Sequence, residues 1–176
     1  PATFVSADKT AEVGIMNYLL DGEGKTGNVV DGKGPGDFYW LRKDNPVTFN
    51  INMNSSSKIS AMKFYLPWGW NEGAKNITIR FYNSSTLLGT ENLVLPYQYA
   101  GPYYLKALTK AYLNVTKVQF VVVDDWLGST VSPNPRTSLQ EIVFGDLVCN
   151  AGTIAPPVKD ITNICPSTSI NLNDAH

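Results

Sequence analysis

In the stretch "NPVTFNINMN" the apolar residues Val47, Phe49, Ile51 and Met53 alternate with Thr48, Asn50 and Asn52. Successive side chains of an extended chain point to opposite faces, so a period of two describes a strand with one dry and one wet face. The alternation returns as Met62, Phe64 and Leu66 in "ISAMKFYLPW", and as Ile77, Ile79 and Phe81 against Thr78, Arg80 and Tyr82 in "NITIRFYN". "TENLVLPY", "VTKVQFVVVDDW" and "TSLQEIVFGDLV" extend the set, the middle one apolar on both faces and therefore predicted to be central. Breaker-rich segments separate them: "NMNSSSK", "PWGWNEG", "YNSSTLLG" and "LGSTVSPNPRT". Only "YYLKALTKAYL" suggests a helical turn, without a cap signature. Strands at this spacing without intervening helices predict an all-β chain folded as a two-sheet antiparallel β-sandwich.

A chain of 176 residues with 43% hydrophobic content supports one main core. The texture changes after Cys149: "NAGTIAPPVKDITNICPSTSINLNDAH" passes through Pro156 and Pro157 and ends like the opening strand of another module. The expected organisation is a sandwich over 1–149, with a linker and the start of a following module over 150–176, the whole reading as a soluble piece of something longer. With 14 basic and 15 acidic residues the net charge is -1, so no field gathers phosphates and nucleic acid is not an expected partner. No apolar run approaches the ~20 residues that cross a bilayer, so no membrane insertion is expected.

Few charged residues (16%) and abundant Asn, Ser, Thr and Tyr point to an extracellular, secreted setting. The single histidine is the terminal His176, which removes Ser-His-Asp and Cys-His catalysis from within this chain. Cys149 and Cys165 are neither a CxxC pair nor part of a zinc set; an extracellular location favours a bond between them, with pairing to neighbouring modules as the alternative. The sequons at Asn54, Asn76, Asn83 and Asn114 reflect an Asn/Ser/Thr-rich surface more than glycan acceptors.

The early segment "NYLLDGEGKTGNVVDG" is rich in glycine and acid. Asp21, Glu23, Thr26 and, far along the chain, Glu141 offer oxygens only, the donor type preferred by a hard cation such as Ca²⁺, which takes six to eight of them. Gly22 and Gly24 would let the backbone curl so that carbonyls turn inward. The same string also describes an ordinary turn.

"LLDGEGKT" near the start and "SLQEIVFGD" near the end together resemble the galactose-binding-like β-sandwich, a jelly roll known as the discoidin or coagulation factor type C domain, which includes many bacterial carbohydrate-binding modules. The resemblance spans residues 1–148. It implies one structural Ca²⁺ where the two ends lie side by side: the Asp21 carboxylate, the Thr26 hydroxyl and carbonyl, the Glu141 carboxylate, and carbonyls of Tyr18, Glu23 and Gln140. Glu23 stands where Asn or Asp is usual, which is harmless if only its carbonyl is used. It also implies that Trp40 packs in the core. The tail "CNAGTIAPPVKDITNICPSTSINLN" resembles junctions between modules in large surface adhesins of Bacteroidetes.

In this fold, loops at one end of the sandwich usually carry recognition. A pyranose has an apolar C–H face and hydroxyl edges, so it is held by an aromatic face with a few polar groups. "PWGWNEG" is the leading candidate, with Trp68 and Trp70, more than Trp40 or Trp126, expected to carry recognition beside Asn71; "PYQYAGPYY" and "DDWLGSTVSPNPR" add Tyr97, Tyr99, Tyr103, Asp125, Trp126 and Arg136. Tryptophans at strand ends equally plug the ends of a core. The leading expectation is a non-catalytic, lectin-like carbohydrate-binding module of a large cell-surface adhesin, binding glycan or a surface polysaccharide beside neighbouring modules and braced by calcium. The alternatives are an accessory binding module of a glycoside hydrolase and a pure spacer in a stalk. A hydrolase itself needs two carboxylates about 5–10 Å apart, and Asp124 with Asp125, adjacent on an extended chain, would point to opposite faces.

Overall fold

The computed structural model describes residues 2–9, 19–20, 38–41, 45–66, 73–97, 103–126, 136–149 and 168–171. Among these the regular elements are strands: β1 (Ala2–Ala7), β2 (Phe38–Leu41), β3 (Val47–Tyr65), β4 (Asn76–Asn83), β5 (Thr86–Val94), β6 (Tyr104–Val122), β7 (Arg136–Leu139), β8 (Glu141–Cys149) and β9 (Thr168–Asn171). Their pairings are antiparallel, and no helix among the described residues is long and apolar enough to cross a membrane.

The architecture follows from one long ribbon. β3 and β6 pair twice, as Val47–Asn52 with Lys117–Val122 and as Ala61–Phe64 with Tyr104–Ala107, with register shifts between the two stretches. At the fold-over the side chains of Asn54, Ser55, Ser56 and Lys58 are exposed, and Asn114 adopts a left-handed φ of 57° while its Oδ1 accepts from Ser56 Oγ at 3.4 Å. Asn tolerates that backbone region better than most side chains. The first half of the ribbon takes β1 on its β3 side and β4, then β5, on its β6 side; the second half takes β8 on β3, then β9. The result is an antiparallel β-sandwich.

Alternation fills the space between the layers. Val47, Phe49, Ile51, Ile77, Ile79, Phe81, Val118, Phe120 and Val122 from one layer, and Met62, Phe64 and Ile142 from the other, are buried in a single cluster. Phe49 stacks on Phe120 at 4.9 Å, and Phe120 meets Phe144 across the sandwich at 6.3 Å. Each such side chain contributes about 1.5–3 kcal/mol by leaving water. On the wet face a directed row crosses four strands: Arg80 Nη1 donates to Gln119 Oε1, Gln119 Nε2 to Asn50 Oδ1, and Asn50 Nδ2 to Ser6 Oγ, at 2.9, 3.1 and 3.2 Å.

Two local expectations change. "YYLKALTKAYL" is strand, because β6 pairs with β3 through both of its halves, and long-range ladder bonds outweigh the local helical spacing. "NMNSSSK" does not end a strand but forms the bend within β3. β9 pairs with the edge of β8, matching Asp146 with Asn171 through Cys149 with Thr168.

Candidate functional site

Antiparallel pairing gathers many element ends at one end of the sandwich. Val47 and Ile77 lie opposite Val122, Asn76 opposite Val94, Phe64 opposite Tyr104, and Tyr65 opposite Glu141. The two layers are tied there by the segment around β7: Ala74 N donates to Ser138 O at 3.0 Å, and Gln140 N donates to Tyr65 O at 3.3 Å. β7 also pairs with β2, placing Trp40 opposite Thr137 and Leu41 opposite Arg136.

Three side chains meet at this end. Trp126 is fixed by its backbone N–H on Gly73 O (3.2 Å) and its indole Nε1–H on Leu95 O (3.0 Å). Tyr97, 46% exposed, lies against it at 5.5 Å with the rings tilted by 56°. Lys75 places Nζ 4.6 Å from the centroid of the Trp126 ring. Its backbone is held from both sides, N donating to Asp124 O at 2.9 Å and O accepting from Leu95 N at 2.8 Å. A second pair of the same kind, Lys63 over Tyr103 at 4.1 Å, lies on β3 and at the start of β6, and Tyr103 in turn faces Tyr65 at 5.9 Å.

The acidic groups at this end are engaged in the scaffold. Asp124 accepts Asn76 N on Oδ1 at 2.9 Å and Asn76 Nδ2 on Oδ2 at 2.8 Å, closing the entry to β4. Asp125, 3% exposed, accepts the Thr137 hydroxyl at 2.9 Å, and Thr137 accepts from Asn45 Nδ2 at 2.9 Å. Two neighbouring carboxylates held in this way do not form an acid–nucleophile pair around a cleft.

Gln140 and Glu141 mark the break between β7 and β8, and both are buried, Glu141 to 2% exposure. Burial and the Glu141 carboxylate together push the Tyr65 hydroxyl above its ordinary pKa. An anionic oxygen donor at that depth suits a hard cation, which offsets the cost of removing a carboxylate from water. The donor chemistry of this half of the expected calcium set therefore fits. The other half, Tyr18, Asp21, Glu23 and Thr26, lies outside the described residues, although Leu19 between them is fully buried in the core.

Of the expected ligand-binding residues, Tyr97 and Trp126 are brought together. Trp68, Trp70, Asn71 and Tyr99 lie outside the described residues, as do the side chains of Arg136, Trp40 and Cys149, and all of Cys165. Lys75 and Lys63 were missed by sequence reasoning. Lys75 follows "PWGWNEGA", 51 positions before its aromatic partner, and the isolated bridge Ala74↔Asp125, with the backbone bonds Lys75 N to Asp124 O and Trp126 N to Gly73 O, makes the two neighbours.

No protein-family model matches the sequence, and no curated protein matches it. Solved structures do. A fucose-binding module from Streptococcus pneumoniae aligns at 17% identity and TM-score 0.53, over 82% of this chain and 89% of that one. The family 32 carbohydrate-binding module of EndoD from the same organism aligns at 11% identity and TM-score 0.56, over 81% and 94%. An F5/8 type C domain from Bacteroides fragilis aligns at 11% identity and TM-score 0.52, over 81% and 95%. The fold is the galactose-binding-like β-sandwich. It is shared by binding modules and by an enzyme chain, allantoicase, 39% of which aligns with TM-score 0.53; function therefore has to come from the site.

Proposed function

We propose that this chain is a non-catalytic carbohydrate-binding module, part of a secreted cell-surface adhesin, that holds glycan at the loop end of the sandwich and is braced by a calcium ion. The observation that carries the reading is the Tyr97–Trp126–Lys75 cluster. The half-exposed Tyr97 ring, propped against an anchored indole, offers an apolar face for a sugar's C–H face, and an ammonium beside it offers donors to ring oxygens. Folds of this kind among the neighbours include modules described as fucose-binding and carbohydrate-binding. The engagement of Asp124 and Asp125 in structural hydrogen bonds favours binding without turnover.

Binding to a glycan array, run beside chromogenic glycosides, separates the readings. Retention of glycan without release of chromophore is expected. Tyr97→Ala should weaken binding about 5- to 30-fold, as loss of roughly 1–2 kcal/mol of stacking would, while the domain stays folded with a slightly lower melting temperature, because the ring is half exposed and only partly packed on Trp126. Turnover of any glycoside would replace the reading with an enzyme; no binding to any glycan would leave a spacer.

A further inference from the structure

The polar tips at the loop end are unequally available. The Trp126 indole N–H is engaged with Leu95 O, and the Asp124 and Asp125 carboxylates hold Asn76 and Thr137. The Lys75 ammonium, by contrast, rests on a ring face, which attracts a cation but accepts none of its three N–H donors in the manner of an oxygen. Among the described residues Lys75 takes part in no ion pair, and neither does Lys63, whose ammonium rests on the Tyr103 ring in the same way. Two lysines are thus held against aromatic rings at the same end of the sandwich, and among the described residues neither ammonium is ion-paired to a carboxylate. Holding the amines in this way lowers the ordering cost of using them. A neutral sugar would make little use of that charge.

We propose that the loop end selects anionic glycans, sugars bearing a carboxylate or a sulfate ester, with Lys75 as the specificity-determining cation beside the Tyr97–Trp126 surface and Lys63 as a second. The proposal rests on the carbohydrate-binding reading above and deepens it. The aromatic pair holds the ring and the ammonium reads the oxyanion, so affinity has a salt-independent and a salt-dependent part.

The test pairs polymers that share a backbone: polygalacturonate against its fully methyl-esterified form for the carboxylate, and κ-carrageenan against its desulfated form for the sulfate ester, measured by affinity electrophoresis and calorimetry on the full chain. The acidic member of at least one pair should bind about 3- to 10-fold more tightly, and the preferred pair identifies the oxyanion. Raising salt from about 20 mM to about 0.5 M should remove the preference. Lys75→Met should weaken binding of the acidic member by much more than binding of the neutral one, so that most of the preference goes, and Lys75→Arg should keep it; Lys63→Met should reduce it by less. Equal binding of acidic and neutral members, or an undiminished preference in a folded Lys75→Met variant, overturns the proposal and leaves carbohydrate binding standing. Failure to bind all four polymers, with glycan binding also absent on the array, removes both.

Discussion

Gly89 lies directly beneath the Tyr112 ring: a Cβ at Gly89 would stand 2.6 Å from Tyr112 Cε1. The ring is also held by Phe81, the cross-strand partner of Gly89, stacked on it at 4.1 Å and 13°, and its hydroxyl is bonded to Glu91 at 3.0 Å. A side chain at this point of β5 therefore has to push the Tyr112 ring out of these contacts.

Gly89→Ala is expected to destabilise the domain by about 1–3 kcal/mol, the usual range for an added methyl group in a packed site. Chemical denaturation reads the loss directly. A variant as stable as the native chain would mean that the ring shifts at no cost.

Tyr112 and Glu91 also set an alkaline limit. Glu91, 4% exposed, accepts on Oε1 from the Thr109 N–H, the Thr109 hydroxyl and the Tyr112 hydroxyl. Burial, then the bond to Glu91 and its charge, raise the Tyr112 pKa. A raised folded pKa means that the stabilisation is complete below the unfolded tyrosine value, ~10, and is lost as pH rises through the folded value. Tyr112→Phe should cost about 1–3 kcal/mol at pH 7, and the gap to the native chain should narrow above about pH 10. A gap that stays constant across that range would contradict this account.

The opposite sign applies at Asp146. Its carboxylate is bonded by Lys58 Nζ at 2.8 Å and Ser60 Oγ at 2.6 Å, and these two donors lower its pKa. The stabilisation is present above the unfolded carboxylate value, ~3.9, and is lost as pH falls through the lower folded one. Lys58 is half exposed, so the ion pair adds only about 0–1 kcal/mol. Asp146→Asn should therefore be mildly destabilising at pH 7 and neutral near pH 2. A penalty of equal size at both would assign the loss to packing.

Much of the fold is legible in the chain. The residues that alternate in "NPVTFNIN" and "NITIRF" are the buried ones, because a half-buried strand writes its two faces into alternate positions. The bend in β3 was not legible: its Asn and Ser residues satisfy both a loop and a solvated corner, and only the ladder to β6 decides between them. In "YYLKALTKAYL" apolar side chains fall on the wet face too, with Leu113 56% exposed, which disguises a strand as a helix. At the site, aromatic residues announce themselves in the sequence, whereas lysines do not. Lys75 acquires meaning only when Gly73–Lys75 and Asp124–Trp126 are brought together by hydrogen bonds that no local pattern encodes.

For the proposed calcium brace, Glu141 is the informative position. A ligand that binds only the folded state at about 100 times its dissociation constant adds about 2.7 kcal/mol, which for a domain of this size amounts to a melting shift of several degrees, roughly 5 °C or more. Adding a chelator should lower the native melting temperature, and Glu141→Gln should melt lower and ignore the chelator. An unmoved native curve, together with elemental analysis that finds no calcium, would sink the brace.

The folded-back ribbon also decides how the sandwich can be tethered. β1 starts opposite Met53, at the bend of β3, and β8 runs from Tyr65 past Ala61 toward that same bend. β1 thus enters the sandwich at the pole opposite Tyr97 and Trp126, whereas β9, antiparallel to β8, runs back from Thr168 beside Cys149 to Asn171 beside Asp146, toward the aromatic pole. Mounted by its β1 end, the module faces outward like a lamp on its stem, its aromatic end clear of whatever carries it.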